Sequence, residues 1–376
     1  MELETEKFIK QHKDNWLDLL QQAPYNLKTN EDDNYVLLKY DMINSDFTEE
    51  IVKECRGLII DKHTLKAKAL SFRKFFNVQE PLHDDIDWES AYVQEKVDGS
   101  KMMVWFNEYT NDWQISTSGT LDSYKANVND VGLTFGKLFE EGLKTIGKTK
   151  EDLYKVLDKR YCYTFELVSP KSRIVVLYKE TKLYFIGLRN IETFREENPD
   201  NKEEIIKLGI ERPKQYPLKT LDDCMKATEK MGFDEEGFVV VDKNWDRVKI
   251  KSPAYVSVHK SKGNVVMMSN ILEMFLANTL DDFISIFPEY KEYETTLKTN
   301  YYELEKTIKN TLEILRNKKI ESRKELALYI TKNHLEISSA LFYLYDNRDM
   351  TFEEWFRKQS KATQFRMLKL KETTKE

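Results

Sequence analysis

Residues 95–100 read EKVDGS. Asp98-Gly99 is a turn signal of the kind that joins the two strands of a hairpin. That reading accounts for Asp98 and Gly99 and leaves Lys96 without a role. The flanking stretches AYVQEKV (91–97) and KMMVWFN (101–107) are rich in branched and aromatic residues and read as strands. Lys96 therefore sits at a strand end, aimed at whatever the sheet faces. A lysine attacks phosphorus only as the neutral amine. Its ordinary value of about 10.4 must then be lowered, by burial or by neighbouring cations.

The same composition marks further strands at 35–40, 56–60, 161–168, 173–178, 182–189, 237–242 and 247–251. Segments 4–22, 124–143, 150–158, 197–208 and 219–231 carry helical spacing. After residue 260 only helical patterns follow, and Thr279 with Asp282 resembles a capping box that starts a helix near Leu280. The pattern predicts an α+β fold: a domain of antiparallel sheets with flanking helices over 1–260, then an all-helical C-terminal domain over 261–376.

The bulk numbers exclude several classes. With 40% hydrophobic and 33% charged residues in 376, the chain is globular rather than disordered. A net charge of −6 rules out a global basic field, so nucleic acid would need a local patch. One candidate is the last helix, where Arg357, Lys358, Lys361, Arg366, Lys369 and Lys371 face only Glu353 and Glu354. A solvated helix face is the simpler explanation of these charges. Cys55, Cys162 and Cys224 cannot all pair and fit a reducing compartment. The first residues lack an apolar signal core, and no run approaches the roughly 18 apolar residues of a membrane span. A cytoplasmic location is expected, in the host cytoplasm if the origin is viral.

Some charges sit oddly in apolar strands. Glu166 lies inside YTFELVSP, Glu236 opens the strand of DEEGFVVV, and Lys249 and Lys251 project from one face of VKIKS. Each alone is explained by an outward-facing position on an alternating strand. Together, one lysine, two glutamates and a lysine pair suit a nucleotide: an amine to attack the α-phosphate, carboxylates for ribose or metal, cations for phosphate charge.

The order of these elements adds a resemblance. KVDGS, STSGT, TFELVSP, EEGFVVV and VKIKS resemble motifs I, Ia, III, IV and V of the covalent nucleotidyltransferases. ECRGLII, RKFFNVQEP, VSPKSRIVVLY and KIKSPAYVSVH resemble, more narrowly, the bacteriophage RNA ligase 1 family, over roughly residues 35–290. The resemblance implies a nucleotidyltransferase domain in which Lys96 is adenylated by ATP. Tyr40, Arg56, Lys74, Lys249 and Lys251 would contact phosphates, and Gly99 would let the backbone approach the nucleotide. Glu166 would hold the ribose, Glu236 would act near the reacting phosphate or its metal, Val239 would pack on adenine, and Asp281 would lie near magnesium. Ser116 and Ser118 stand where the family's motif Ia carries lysines.

The implied activity is ATP- and Mg²⁺-dependent ligation, with Mn²⁺ as a substitute. It would join 5′-phosphate to 3′-hydroxyl ends of single-stranded RNA, such as a broken tRNA anticodon loop. A monomer is expected, with the helical domain recognising the RNA and a polynucleotide kinase/phosphatase healing the ends. Two other readings stay open. One is another covalent nucleotidyltransferase, a DNA ligase or mRNA guanylyltransferase; these generally carry an OB-fold barrel where this chain reads helical. The other is a non-catalytic RNA-binding module with a vestigial pocket.

Overall fold

Fourteen strands and fifteen α-helices are seen in the computed structural model, which describes residues 2–128, 132–262, 268–276, 280–318, 320 and 322–371. The described chain forms two compact units, Met1–His259 and Lys260–Glu376.

The first unit holds three sheets. A four-stranded sheet runs in order Lys28–Glu31, Tyr35–Lys39, Arg56–Asp61, Ala67–Ala69. An antiparallel five-stranded sheet has the order Glu196–Glu197, Lys182–Asn190, Tyr161–Val168, Ser100–Asn107, Asp112–Thr117. The third sheet has the order Gln215–Tyr216, Tyr92–Glu95, Gly237–Val241, Arg247–Lys251, Phe76–Asn77, with only the last pair parallel.

Side-chain alternation explains the packing. In the second sheet, Met103 and Trp105 turn to Tyr35, Leu37 and Ile59 of the first sheet. Met102 and Val104 turn the other way, to Leu138, Phe139 and Leu143 of the helix Phe135–Thr145. In the third sheet, Phe238, Val240, Val248 and Ile250 form a core with Cys224 of the helix Leu221–Thr228. The opposite face carries Val239, Lys249 and Lys251, and that face lines a cleft.

Two expectations are corrected. EKVDGS does not close a hairpin: the strands on either side of it belong to different sheets. RIVVLY (173–178) is not a strand. The N–H groups of Val175 and Val176 donate to the buried Asp98 carboxylate at 2.9 and 2.8 Å, and the Asp98 N–H donates to Tyr178 Oη at 3.1 Å. Backbone donors that would have fed a ladder go to a carboxylate instead. Asp112–Thr117, too polar to be read as a strand, pairs along Ser100–Asn107.

Helices also end where caps and breakers dictate. The 4–22 stretch splits into Glu4–Gln11 and Trp16–Leu20. The first of these has its leading N–H groups, of Glu4 and Thr5, satisfied by the distant Glu54 carboxylate at 3.0 and 2.9 Å. The 124–143 helix begins only at Phe135, after a Thr134 cap. The 197–208 helix shrinks to Glu203–Lys207 behind a short 3₁₀ turn.

The second unit is helical throughout its described residues. Its longest helix, Lys291–Asn317, buries Leu297, Tyr301, Leu304, Ile308, Leu312 and Leu315 at spacings of three and four. A helix covers Leu280–Ile286, while Thr279 of the expected capping box lies outside the described residues. The basic C-terminal stretch is two helices, Phe352–Arg357 and Lys361–Met367. Three of its cations pair locally: Arg357 with Glu353, Lys361 with Glu273 and Lys369 with Glu336. No helix among the described residues is long and apolar enough to cross a membrane.

Candidate active site

The site is assembled by strand register. Lys96 follows the strand Tyr92–Glu95, and its N–H donates to the Gly237 carbonyl at 2.8 Å. Gly237 in turn sits opposite Lys251. Three neighbouring strands thus bring Lys96, Glu236 and Lys251 into one row. Glu236 bridges the two lysines, at 2.7 Å from Lys96 Nζ and 2.8 Å from Lys251 Nζ. Gly237 is required there: its φ is +129°, and a β-carbon would run into the Ile250 carbonyl.

The row opens on a cleft of about 770 Å³. Of the residues expected at the site, Lys96, Gly99, Arg56, Glu166, Val239, Lys249 and Lys251 line it. Gly99 serves a close approach different from the expected one. A β-carbon on it would lie 2.5 Å from the Leu167 carbonyl oxygen and 3.0 Å from Glu166 Cγ, so the glycine lets the chain enter the second sheet against the strand that carries Glu166. Asp98, 4% exposed, holds that junction by also accepting from Tyr255 Oη at 2.7 Å.

The electrostatics differ from the sequence expectation. Burial works to lower Lys96, but the Glu236, Glu166 and Asp98 charges outweigh it and hold the ammonium above its usual range. The expected depression falls on Lys249 instead. Burial, then Lys74, Arg56, Lys96 and Lys251, pull Lys249 down to about 7. Burial pushes Glu166 up to about 7, against the pull of Lys96. Burial would also raise Glu236, yet Lys96 and Lys251 keep it below the usual carboxylate range.

Lys74 lies behind this group. Its ammonium faces the rings of Tyr40, Phe47 and Phe76 at 5.3, 5.1 and 5.2 Å. Burial, then the Arg56 charge, lowers it. Tyr40 is a buried wall of this cage and not part of the cleft lining. Asp281 lies in the helical unit, exposed and paired with Lys298 at 2.7 Å.

Several contributors were not singled out from sequence. Phe75 carries both Arg56 and Lys249 over its ring, at 4.9 and 5.4 Å. Lys101 is buried, donates to the Arg56 carbonyl at 2.6 Å, and is driven well below the usual lysine range by burial and Arg56. A charged residue in the apolar run KMMVWF was its available signal. Lys39 lines the cleft beside Thr117, Ser118 and Gly119, with Nζ 3.3 Å from where a Gly119 β-carbon would stand. It supplies a cation next to STSGT, the segment lacking its family lysines. Ser116 could not host one: it is fully buried and accepts from Trp105 Nε1 at 2.8 Å.

Two buried polar atoms on the lining lack partners, Arg56 Nη1 and Gln94 Oε1. A phosphoryl oxygen would satisfy the first and an N–H donor the second. No cluster of three His, Cys, Asp or Glu suited to a metal occurs among the described residues. The carboxylates whose charges act on Lys96 are Glu236, its two oxygens held by Lys96 and Lys251, and Glu166; a cation there would draw its other ligands from phosphates and water.

A sequence model of the family described as RNA ligase matches residues 54–255. A putative bifunctional polynucleotide kinase/RNA ligase of Autographa californica nuclear polyhedrosis virus is 30% identical over 281 residues, covering 70% of this chain and 39% of that protein. An RNA ligase of Rhodothermus phage RM378 is 26% identical over 324 residues, covering 69% of this chain and 72% of that protein. Solved structures that match include an archaeal ATP-dependent RNA ligase, with TM-score 0.40 and 13% identity over 69% of this chain and 64% of that one. Naegleria gruberi RNA ligase with PPi matches with TM-score 0.36 and 14% identity, over 46% and 52% of the two chains. The chain thus spans about two-fifths of the first viral relative. With more than half of its length matched by the family model, it belongs to the RNA ligase family.

Proposed function

Proceeding from that membership, we propose that the protein is an ATP-dependent RNA ligase that joins 5′-phosphate and 3′-hydroxyl ends of single-stranded RNA through a lysyl-AMP intermediate. The observation that carries the reading is the Glu236 bridge between Lys96 and Lys251, opening on a cleft walled by further cations.

Lys96 must lose a proton before it attacks, and the Glu236 carboxylate at 2.7 Å is placed to take it. The bond from Lys96 Nζ to the α-phosphorus forms as the bond to pyrophosphate breaks. Arg56, Lys249 and Lys251 stabilise charge on the phosphoryl oxygens. The RNA 5′-phosphate then attacks the same phosphorus and the P–N bond breaks. The departing amine is protonated again beside Glu236. Last, the 3′-hydroxyl attacks the RNA-adenylate and AMP leaves.

Glu166 receives the ribose, while Val239 and Gln94 flank the base. Gly99 sets the backbone beside the reacting lysine, and Tyr40 acts through the Lys74 cage. Magnesium or manganese held by Glu236 and Glu166 would offset phosphate charge. Asp281, the expected magnesium neighbour, lies in the helical unit and pairs with Lys298. RNA is the partner, and the kinase/ligase pairing in the viral relative's name supports a healing kinase acting before this chain.

The test is sealing of defined substrates: 5′-phosphorylated single-stranded RNA, a nicked anticodon stem-loop, a nicked duplex, and their DNA counterparts. Sealing of the two single-stranded RNA substrates above all others is expected. Preferential sealing of nicked DNA, or label transferred from GTP and not from ATP, would overturn the reading.

A further inference from the structure

A second cleft of about 570 Å³ adjoins the first, with Phe75 and Arg247 lining both. Seven cations and four carboxylates surround it, in a chain whose net charge is −6. At its edge stands Trp245, a half-buried residue with φ of +69°. A bulky side chain in the left-handed region is strained, and such strain persists only where the surroundings impose it.

They do so here. Trp245 sits in the tight connection between Gly237–Val241 and Arg247–Lys251. The Asp242 carboxylate ties that connection down, accepting from the N–H groups of Asn244 at 2.8 Å, Asp246 at 3.1 Å and Asp87 at 3.1 Å. The Arg247 guanidinium stacks over Phe72 at 4.5 Å and lies 5.6 Å from the indole. The indole is thus presented on a fixed support beside exposed Arg73 and Arg195. Packing on the Phe72 and Phe75 cluster explains one side of the ring, and ion pairs account for five of the seven cations: Lys53 and Arg73 with Glu50, Arg189 and Arg247 with Glu196, and Lys243 with Asp87. Neither explains the exposed Arg195 or the continuity with the first cleft.

We propose that this second cleft receives the 5′-phosphorylated end of single-stranded RNA, with Trp245 stacking on a base near that end and Arg195 and Arg73 contacting its phosphates. The inference rests on the ligase reading given above. Displacement at phosphorus is in line, so pyrophosphate departs on the side away from Lys96. The cations on that side run from Lys249 and Arg56 to Lys74, and Lys74 lines the second cleft. The RNA phosphate that attacks lysyl-AMP must approach from the side pyrophosphate has left. One oxygen of the RNA 5′-phosphate forms the new P–O bond, the P–N bond breaks, and Lys96 regains a proton. A positive groove with an aromatic platform is what a single strand uses.

The test compares two steps in the same preparations of the full chain: lysyl-AMP formation from ATP, and single-turnover AMP transfer to a 5′-phosphorylated RNA oligomer. Trp245→Ala and Arg195→Glu should each lower the ratio of transfer to self-adenylation at least about tenfold, the scale of one base stacked on an aromatic ring. Trp245→Phe should restore most of it. An unchanged ratio in Trp245→Ala, or a Phe variant as defective as the Ala variant, overturns the proposal. A fluorescence-anisotropy titration with 3′-labelled RNA, which needs no chemistry, keeps the two readings apart. Trp245→Ala should weaken binding of the 5′-phosphorylated oligomer more than that of its 5′-hydroxyl twin. Equal weakening, or none, removes the 5′ end from this cleft even if lysyl-AMP forms. Absence of lysyl-AMP in the parent protein instead sinks the ligase reading and leaves the titration to decide the cleft.

Discussion

Two lysines on the cleft wall, Lys96 and Lys249, are pushed in opposite directions by their surroundings. At one end, Lys96 and Lys251 share the buried Glu236 carboxylate, and Lys96 is held above its usual range. At the other, Lys249 and Lys74 lie with Arg56 over aromatic rings; burial, then Lys74 and Arg56, lower Lys249, and burial, then Arg56, lowers Lys74. Residue type is the same, and Lys249 and Lys251 even share the strand Arg247–Lys251. The difference is the carboxylate charge of Glu236, Glu166 and Asp98, which keeps the buried Lys96 charged. The paired end keeps Lys96 charged against Glu236 until bound substrate alters its surroundings, and the crowded end is suited to receiving an anion that relieves its repulsion.

The comparison breaks most visibly at Glu236. Glu236→Gln removes both the clamp on Lys96 and the base that unloads it. Single-turnover lysyl-AMP formation should fall by roughly a hundredfold, as for loss of a general base. If the clamp alone mattered, freeing the amine would leave the rate unchanged or raise it.

Next in size is Lys249. With its value near 7 in the protein, a bound phosphate raises it, so ATP binding takes up a proton above that pH. Affinity measured by calorimetry should weaken as pH rises from about 7 to about 9, with proton uptake seen across buffers of different ionisation enthalpy. Lys249→Gln should weaken binding about tenfold at pH 7 and flatten that slope, because one charge-assisted contact is gone. A parental slope in the variant would reassign the titration, with Glu166 the next candidate.

The smallest effect belongs to Lys74. Lys74→Met removes one like charge facing Lys249. The midpoint of the affinity slope should then move to higher pH, while affinity at pH 7 changes only a few-fold. An unmoved midpoint would mean that burial alone lowers Lys249.

Much of this was legible in the sequence, and the part that was not has a physical reason. Alternation in VKIKS correctly assigns Val248 and Ile250 to the core and the lysines to the other face. It cannot say that the other face is a cleft wall, because that depends on the neighbouring sheet. Asp98-Gly99 carried a real signal, but a turn dipeptide does not reveal whether its strands share a sheet. RIVVLY has strand composition, yet the buried Asp98 carboxylate captured its N–H groups. Lys39 could not be paired with STSGT from spacing, since the contact joins two sheets. The depressed value expected at Lys96 fell on Lys249 because Glu236, distant in sequence, sits against one lysine and not the other.

The central claim is that Lys96 becomes covalently adenylated. Mixing the protein with ATP and magnesium, followed by intact-mass measurement and peptide mapping, should find one acid-labile AMP on Lys96. Pyrophosphate should remove it, and Lys96→Ala should carry none. AMP on another residue, or label that persists in Lys96→Ala, would contradict the account.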